Sequence, residues 1–285
     1  MKYKIINCIT DLGLSYNGTE LGPKLISNDL NNSNIEEIYN IYKDNIEKSY
    51  DKNDLAKNID GINNFTKKHY KLVSDILNKN YFPISIGGDH SIAIGSALAC
   101  NNFYKDIGII WIDAHSDYNN FDTTLTGNIH GMPLAAITGY KCDKLTDFLN
   151  CSYVNPRKCS IIGARDIDEK ELVNLKDAGI NVYKMEDVKK YGIENILEKA
   201  FVNGGKKLHI SYDLDGIDPV LAPGVSTKAE NGLTLEDSTI IMKYIKDNID
   251  KVKSFDLVEY NPLNDIDNKT KDIAIDIINK FINIE

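Results

Sequence analysis

Short runs of β-branched and other apolar residues alternate along the chain with stretches in which apolar positions recur at helical spacing. The runs at 3–9, 81–86, 107–112, 158–163, 180–185, 207–213 and 252–259 predict strands. Stretches near 54–79, 91–103, 168–178, 186–203, 235–250 and 267–283 predict helices. Such alternation calls for an α/β architecture, a mainly parallel sheet with helices on both faces. The runs at 107–112 and 158–162 are nearly continuous in apolar character, as strands covered on both sides should be. Asn-rich 28–34 and polar 42–54 read as surface excursions. With no fixed-period repeat and no long Pro/Gly/Ser linker, residues 1–285 are read as a single domain.

Composition narrows the function classes. A net charge of −9 argues against nucleic acid or an anionic membrane as the main partner and leaves a small-molecule substrate. The basic cluster Lys67-Lys68-His69-Tyr70-Lys71 sits in a helical stretch and reads as a solvated face, with His69 on its surface. The N-terminal apolar run is shorter than a signal-peptide core, and no apolar window reaches the ~18 residues of a membrane span. Five cysteines make an odd count without a C-x-x-C pair. That suits reduced thiols, and a cytoplasmic location is expected.

The polar motifs follow the strands, where open α/β sheets gather their ligands. "WIDAHSD" (111–117) places Asp113, His115 and Asp117 on one face if extended, about 6.5–7 Å apart. "GGDHS" (87–91) turns sharply after a strand and leaves His90 exposed there; "SYDLDGIDP" (211–219) puts Asp213 and Asp215 together just past another. Glu259 ends a fourth strand in "SFDLVEYNP". A lone strand-end Asp is usually a turn former, and a lone His usually structural. Four Asp and two His at three strand ends would instead repel one another unless cations sat among them. Four carboxylate charges match two divalent ions. Two imidazoles and no thiolate suit Mn²⁺ or a related first-row ion better than structural zinc, Mg²⁺ or Ca²⁺. Water shared by two such ions becomes a nucleophile near neutral pH.

These residues resemble the ureohydrolase family, the arginases, agmatinases and relatives that hydrolyse guanidino groups. "GGDHS", "DAHSD" and "SYDLDGIDP" match its three signatures in order and spacing, and the likeness runs from "GLSYNGTELGP" (13–23) to "EYNP" (259–262). The resemblance implies a three-layer α/β/α fold around an eight-stranded, mainly parallel sheet, two Mn²⁺ per subunit, and a homotrimer or homohexamer. It places His90, Asp113, Asp117 and Asp213 on one metal and Asp113, His115, Asp213 and Asp215 on the other, with Asp113 and Asp213 bridging.

Within the family, "DYNNFDTTLTGNIHGMP" (117–133) is similar to the arginase loop that recognises an α-carboxylate, here with Asn119, Thr124, Thr126 and Asn128. Short neutral donors suit a carboxylate. Asp168 in "GARDIDEKE" matches the residue that meets the α-ammonium, Glu171 is a supporting candidate, and Thr227 matches a substrate-side threonine. The implied chemistry has Glu259 pairing with the guanidinium, Asp117 passing the nucleophile's proton to the leaving amine, and His130 acting as proton shuttle. His209 shares the Asp213 face one step deeper and is expected to pack or support. The chain departs from the arginase pattern in "APGVSTKAENGL" (222–233), where Lys228, Glu230 and Asn231 replace a Gly-rich segment, and at Met132. Rival readings are an agmatinase or other guanidino- or formimino-acid hydrolase, disfavoured by the 117–133 loop, and a non-catalytic member. A two-metal phosphoesterase would need a G-N-H-[DE] motif and histidines that are absent.

Overall fold

The computed structural model describes residues 1–283. In chain order its elements are β1 (Tyr3–Ile9), α1 (Gly22–Ser27), β2 (Ile35–Tyr42), α2 (Ile59–Asn78), β3 (Phe82–Ile86), α3 (Ala93–Tyr104), β4 (Gly108–Ile112) and α4 (Pro133–Ile137). Then follow β5 (Cys159–Ala164), α5 (Glu169–Ala178), β6 (Asn181–Lys184), α6 (Met185–Tyr191), α7 (Ile193–Gly204), β7 (Leu208–Asp213), α8 (Leu235–Asp247), β8 (Val252–Val258) and α9 (Lys269–Ile282). The eight strands form one sheet in the order β2-β1-β3-β8-β7-β4-β5-β6, with every pairing parallel. Large apolar clusters bury the faces of this sheet, as the α/β reading requires.

All seven strands expected from the sequence form, within a residue or two at each end. The eighth, β2, lies in a segment read as neither strand nor helix. "IEEIYNIY" is mostly exposed and sits at the sheet edge, so it lacks the continuous apolar run by which central strands are recognised. The helix expected over 186–203 is two helices, broken where Gly192 takes φ +80°.

The four central strands, β3, β8, β7 and β4, end together and carry the polar motifs at their carboxyl ends. Beneath those ends runs a buried polar row in register: Ser85 beside Asp256, Asp256 beside Ser211, Ser211 beside Trp111. His209 lies fully buried one step below, its Nδ1 2.8 Å from Ser254 Oγ and its Nε2 3.3 Å from Asp256 Oδ2. Burial works to raise the Asp256 pKa, but His209, His69 and the Ser96 hydroxyl hold it below the usual carboxylate range.

His69 overturns its expected surface position: it is wholly buried. Phe65, His69 and Val73 share the inner stripe of α2 at i, i+4 spacing, while Lys67, Lys68 and Lys71 face solvent. Its ring nitrogens find Ile92 O at 3.0 Å and Ser85 Oγ at 2.9 Å, which makes burial tolerable. The cysteines are free thiols, and among the described residues no helix is long and apolar enough to cross a membrane.

Candidate functional site

At the end of β3 the chain turns through Gly87 and Gly88, and a Cβ at Gly88 would sit 1.7 Å from Thr10 O. Only glycine allows that approach. The buried Asp89 carboxylate accepts from Gly13 N and Ser91 N at 3.0 Å each, locking the N-terminal loop to this turn. His90 is thereby fixed inside the molecule. Its ring stacks on Trp111 with centroids 4.0 Å apart, and its Nε2 lies 2.8 Å from Ser211 Oγ.

The six expected ligands converge. His90 Nδ1 lies 3.2 Å from Asp113 Oδ2, 3.1 Å from Asp117 Oδ2 and 3.0 Å from Asp213 Oδ2. His115 Nδ1 lies 3.4 Å from Asp113 Oδ1 and 3.1 Å from Asp215 Oδ2. Two donor groups can each surround an ion, His90–Asp113–Asp117 and Asp113–His115–Asp215, with Asp113 common to both. Asp213 flanks the first group through His90, and its Oδ1 accepts from Asp215 N at 2.8 Å. The Asp113 carboxylate is itself held by Trp111 Nε1 and His115 N, at 2.8 and 2.7 Å. Such outer contacts orient ligands.

Electrostatics show how strongly these groups act on one another. Burial raises Asp117 to about 7, with the Asp113 charge adding to the shift. Burial and their acidic neighbours push Asp213 well above, and Asp215 above, the ordinary carboxylate value. Burial works against charge on His90 and His115, yet the surrounding carboxylates hold both well above the ordinary imidazole value. His90 Nδ1 is buried without a hydrogen-bond partner while three carboxylates crowd it. That orphaned nitrogen and the mixed imidazole–carboxylate set fit a pair of divalent cations.

A cavity of about 250 Å³ opens above the cluster, lined by His115, Asp117, Asn119, Thr126, His130, Gly131, Asp166, Asp168, Glu171 and Thr227. Asn119 Nδ2 donates to Asp168 Oδ2 at 3.1 Å, tying two expected substrate residues together and leaving one amide N–H for a ligand. Glu171 accepts from Tyr118 N and Asp168 N, so it anchors the start of α5 against the metal loop. Thr124 and Asn128 are not on this wall. Thr124 Oγ1 accepts from Thr126 N and Gly127 N, shaping the loop, and Asn128 lines a neighbouring cavity. In the departing loop, Lys228, Glu230 and Asn231 face solvent and only Thr227 reaches the cavity. Met132 is buried in the apolar core.

Glu259 is buried at the end of β8, with φ +68°; Asp117 has φ +51°. Two non-glycine residues in the left-handed region mark stored strain at the candidate centre. Glu259 Oε1 accepts from His90 N at 2.8 Å and lies 3.3 Å from His130 Nδ1, whereas its Oε2 is buried and unpartnered.

Arg165 went unread in the sequence. Its guanidinium donates to the carbonyls of Asp215, Ala229, Gly163, Glu230 and Gly216 at 2.8–3.1 Å, stitching the Asp215 turn to the loop carrying Thr227. An arginine whose partners are all carbonyls gives no charge-pattern signal. Arg165→Lys is expected to cost about 3 kcal/mol and lower Tm by roughly 6–10 °C. Differential scanning fluorimetry checks this; an unchanged Tm would refute the stitch.

Residues 2–283 match the model of the arginase family. The chain is 32% identical to the arginase of Bacillus subtilis, covering 98% of this chain and 96% of that one. It superposes on the native structure of Bacillus caldovelox arginase with a TM-score of 0.93 at 32% identity, covering 100% of this chain and 99% of the other. Entamoeba histolytica arginase, solved with L-ornithine, superposes with a TM-score of 0.90 at 29% identity, covering 100% of both chains. The parallel eight-stranded sheet, the convergent Asp/His cluster at its centre and these likenesses agree: the chain belongs to the arginase family.

Proposed function

We propose that this protein hydrolyses the guanidino group of L-arginine to give L-ornithine and urea, using two Mn²⁺ ions. The observation that carries the reading is the cavity itself. Two ligand groups sharing Asp113 form its floor, an unpartnered Glu259 oxygen lies buried beside His90, and Asp168, Asn119 and Thr126 stand on its wall. A guanidinium at one end and an amino acid's charged head at the other match this arrangement.

His90, Asp113 and Asp117 would hold one ion and Asp113, His115 and Asp215 the other, with Asp213 supporting the first. When bound, such a pair supplies Lewis acidity and lowers the pKa of shared water to near neutrality. Glu259 Oε2 accepts from the guanidinium and orients it, a charge-assisted contact in a dry site. Asp117, one of the first ion's ligands, also lines the cavity, where its carboxylate would accept a proton and pass it on. Burial works against charge on His130, but Glu259 beside it raises its pKa, which favours a role in delivering a proton to the leaving amine from the cavity wall. Asp168 accepts from the α-ammonium, while Asn119 and Thr126 donate toward the α-carboxylate.

The test is urea release by manganese-loaded protein from arginine, agmatine and 4-guanidinobutyrate. Arginine is expected to exceed agmatine by at least about 10²-fold in kcat/KM, one or two charge-assisted contacts' worth. Equal or faster turnover of agmatine would replace this reading with that of an agmatinase. The family resemblance also supports a cytoplasmic homotrimer or homohexamer, checked by light scattering of the purified protein.

A further inference from the structure

Lys57 lies between the surface excursion and α2, and its residue is only 6% exposed. Its backbone N–H donates to Gly127 O at 3.1 Å, and a Cβ at Gly127 would meet Asp54 O at 1.9 Å. The 51–57 segment is thus pressed against the loop that carries Thr126 and Asn128. Lys57 Nζ donates to Ser15 Oγ at 3.2 Å and to Asn128 Oδ1 at 3.5 Å. Among the described residues no carboxylate lies within 4 Å of it. The nearby Asp54 is committed to Ser49 and Ala56. An ammonium taken out of water without a counter-charge is costly, and the cost falls when an anion arrives.

The surroundings say which anion. Lys57 and Lys52 line a cavity of about 340 Å³ with Ser15, Thr126 and Asn128, and no acidic residue is on its wall. The cavity over the metal ligands carries Asp117, Asp166, Asp168 and Glu171. Thr126 belongs to both walls. Asn128 accepts with its oxygen from Ser15 at 2.6 Å and from Lys57, so its amide N–H groups remain to donate. Positive and negative potential therefore meet across Thr126.

We infer that Lys57 is the specificity-determining cation of the site: it supplies the full positive charge that favours a substrate bearing an α-carboxylate over its decarboxylated counterpart. The inference rests on the proposed arginine hydrolysis and adds to it a residue outside the neutral Asn/Thr set. Lys57 acts on the carboxylate end only, so its removal should leave the guanidinium chemistry intact.

The test uses the manganese-loaded full chain, wild type, Lys57→Met and Lys57→Arg. Its probes are L-ornithine and putrescine, identical but for the carboxylate, binding being read by calorimetry and by competition against arginine. For Lys57→Met, KM for arginine and Kd for ornithine are expected to rise about tenfold, the value of one charge-assisted contact. kcat should stay within about twofold, putrescine affinity should not change, and Lys57→Arg should recover most of the loss. An unchanged Kd for ornithine, or equal weakening of both probes, would overturn the inference, the latter marking Lys57 as a mere brace for the loop. Failure of wild-type protein to release urea from arginine would sink the parent reading alone. The calorimetric comparison would still decide Lys57.

Discussion

Asp215→Ala should reduce bound manganese from two ions per chain to one and cut urea release by at least on the order of 10³-fold. Asp215 belongs to only one of the two ligand groups, the one it shares with His115 and Asp113. The His90–Asp113–Asp117 group keeps all of its donors in the variant, so one ion should stay. The Asp215 Oδ1 atom also accepts from Ala114 N at 3.3 Å, which ties the two metal-bearing turns together. Asp215→Asn, which keeps the shape and loses the charge, separates that brace from ligation. Metal analysis after gel filtration, paired with single-turnover urea assays, reads both effects. Full activity with one ion per chain would show that the second group is not part of the chemistry.

Stripping the metal should also reverse the pH dependence of stability. In the metal-free protein Asp117 is raised to about 7 by burial and by Asp113, and Asp213 is raised well above its ordinary value. His90, His115 and His130 are raised too, against burial, by their carboxylate partners. Each of these groups keeps its proton to higher pH when folded than when unfolded. Between pH 5 and 8 the folded state therefore binds more protons, and its stability falls as pH rises. His69 opposes this: burial lowers its pKa, so its contribution is lost as pH falls below the unfolded value. It is one group against several. Metal ions displace the same protons, so affinity for them rises with pH. Manganese at a thousandfold excess over Kd is expected to add about 4 kcal/mol per site, roughly 10 °C or more in Tm, with the gain largest near pH 8. Thermal melts with and without chelator across pH 5–8 read this directly. A metal-free protein that became more stable toward pH 8 would contradict the charge assignment.

Both expectations trace to residues that are plain in the sequence. Alternation of apolar runs with helical stretches set the parallel α/β sheet, because parallel strands covered on both faces must be apolar throughout. The crowding of Asp113, His115 and Asp117, repeated at Asp213 and Asp215, pointed to cations, because like charges at strand ends have few other ways to coexist. What stayed hidden depended on distance along the chain. Edge strand β2 hid because exposure removed its apolar signal. His69 hid inside a lysine cluster, since a single buried position of a helix stripe is easily outvoted by charged neighbours in sequence. Arg165 and Lys57 carry no motif; their meaning comes from carbonyls and loops far away in sequence that only folding brings near. The same holds for the substrate loop. Sequence offered Asn119, Thr124, Thr126 and Asn128 as equals, and packing placed only Asn119 and Thr126 on the cavity over the metal ligands. Residue chemistry and short-range spacing thus determined the fold class and the metal-binding character. Tertiary structure alone decided which donors face the cavity and that Lys57 lies buried beside the neighbouring one without a carboxylate partner, since burial and pairing are properties of surroundings that no short stretch of sequence contains.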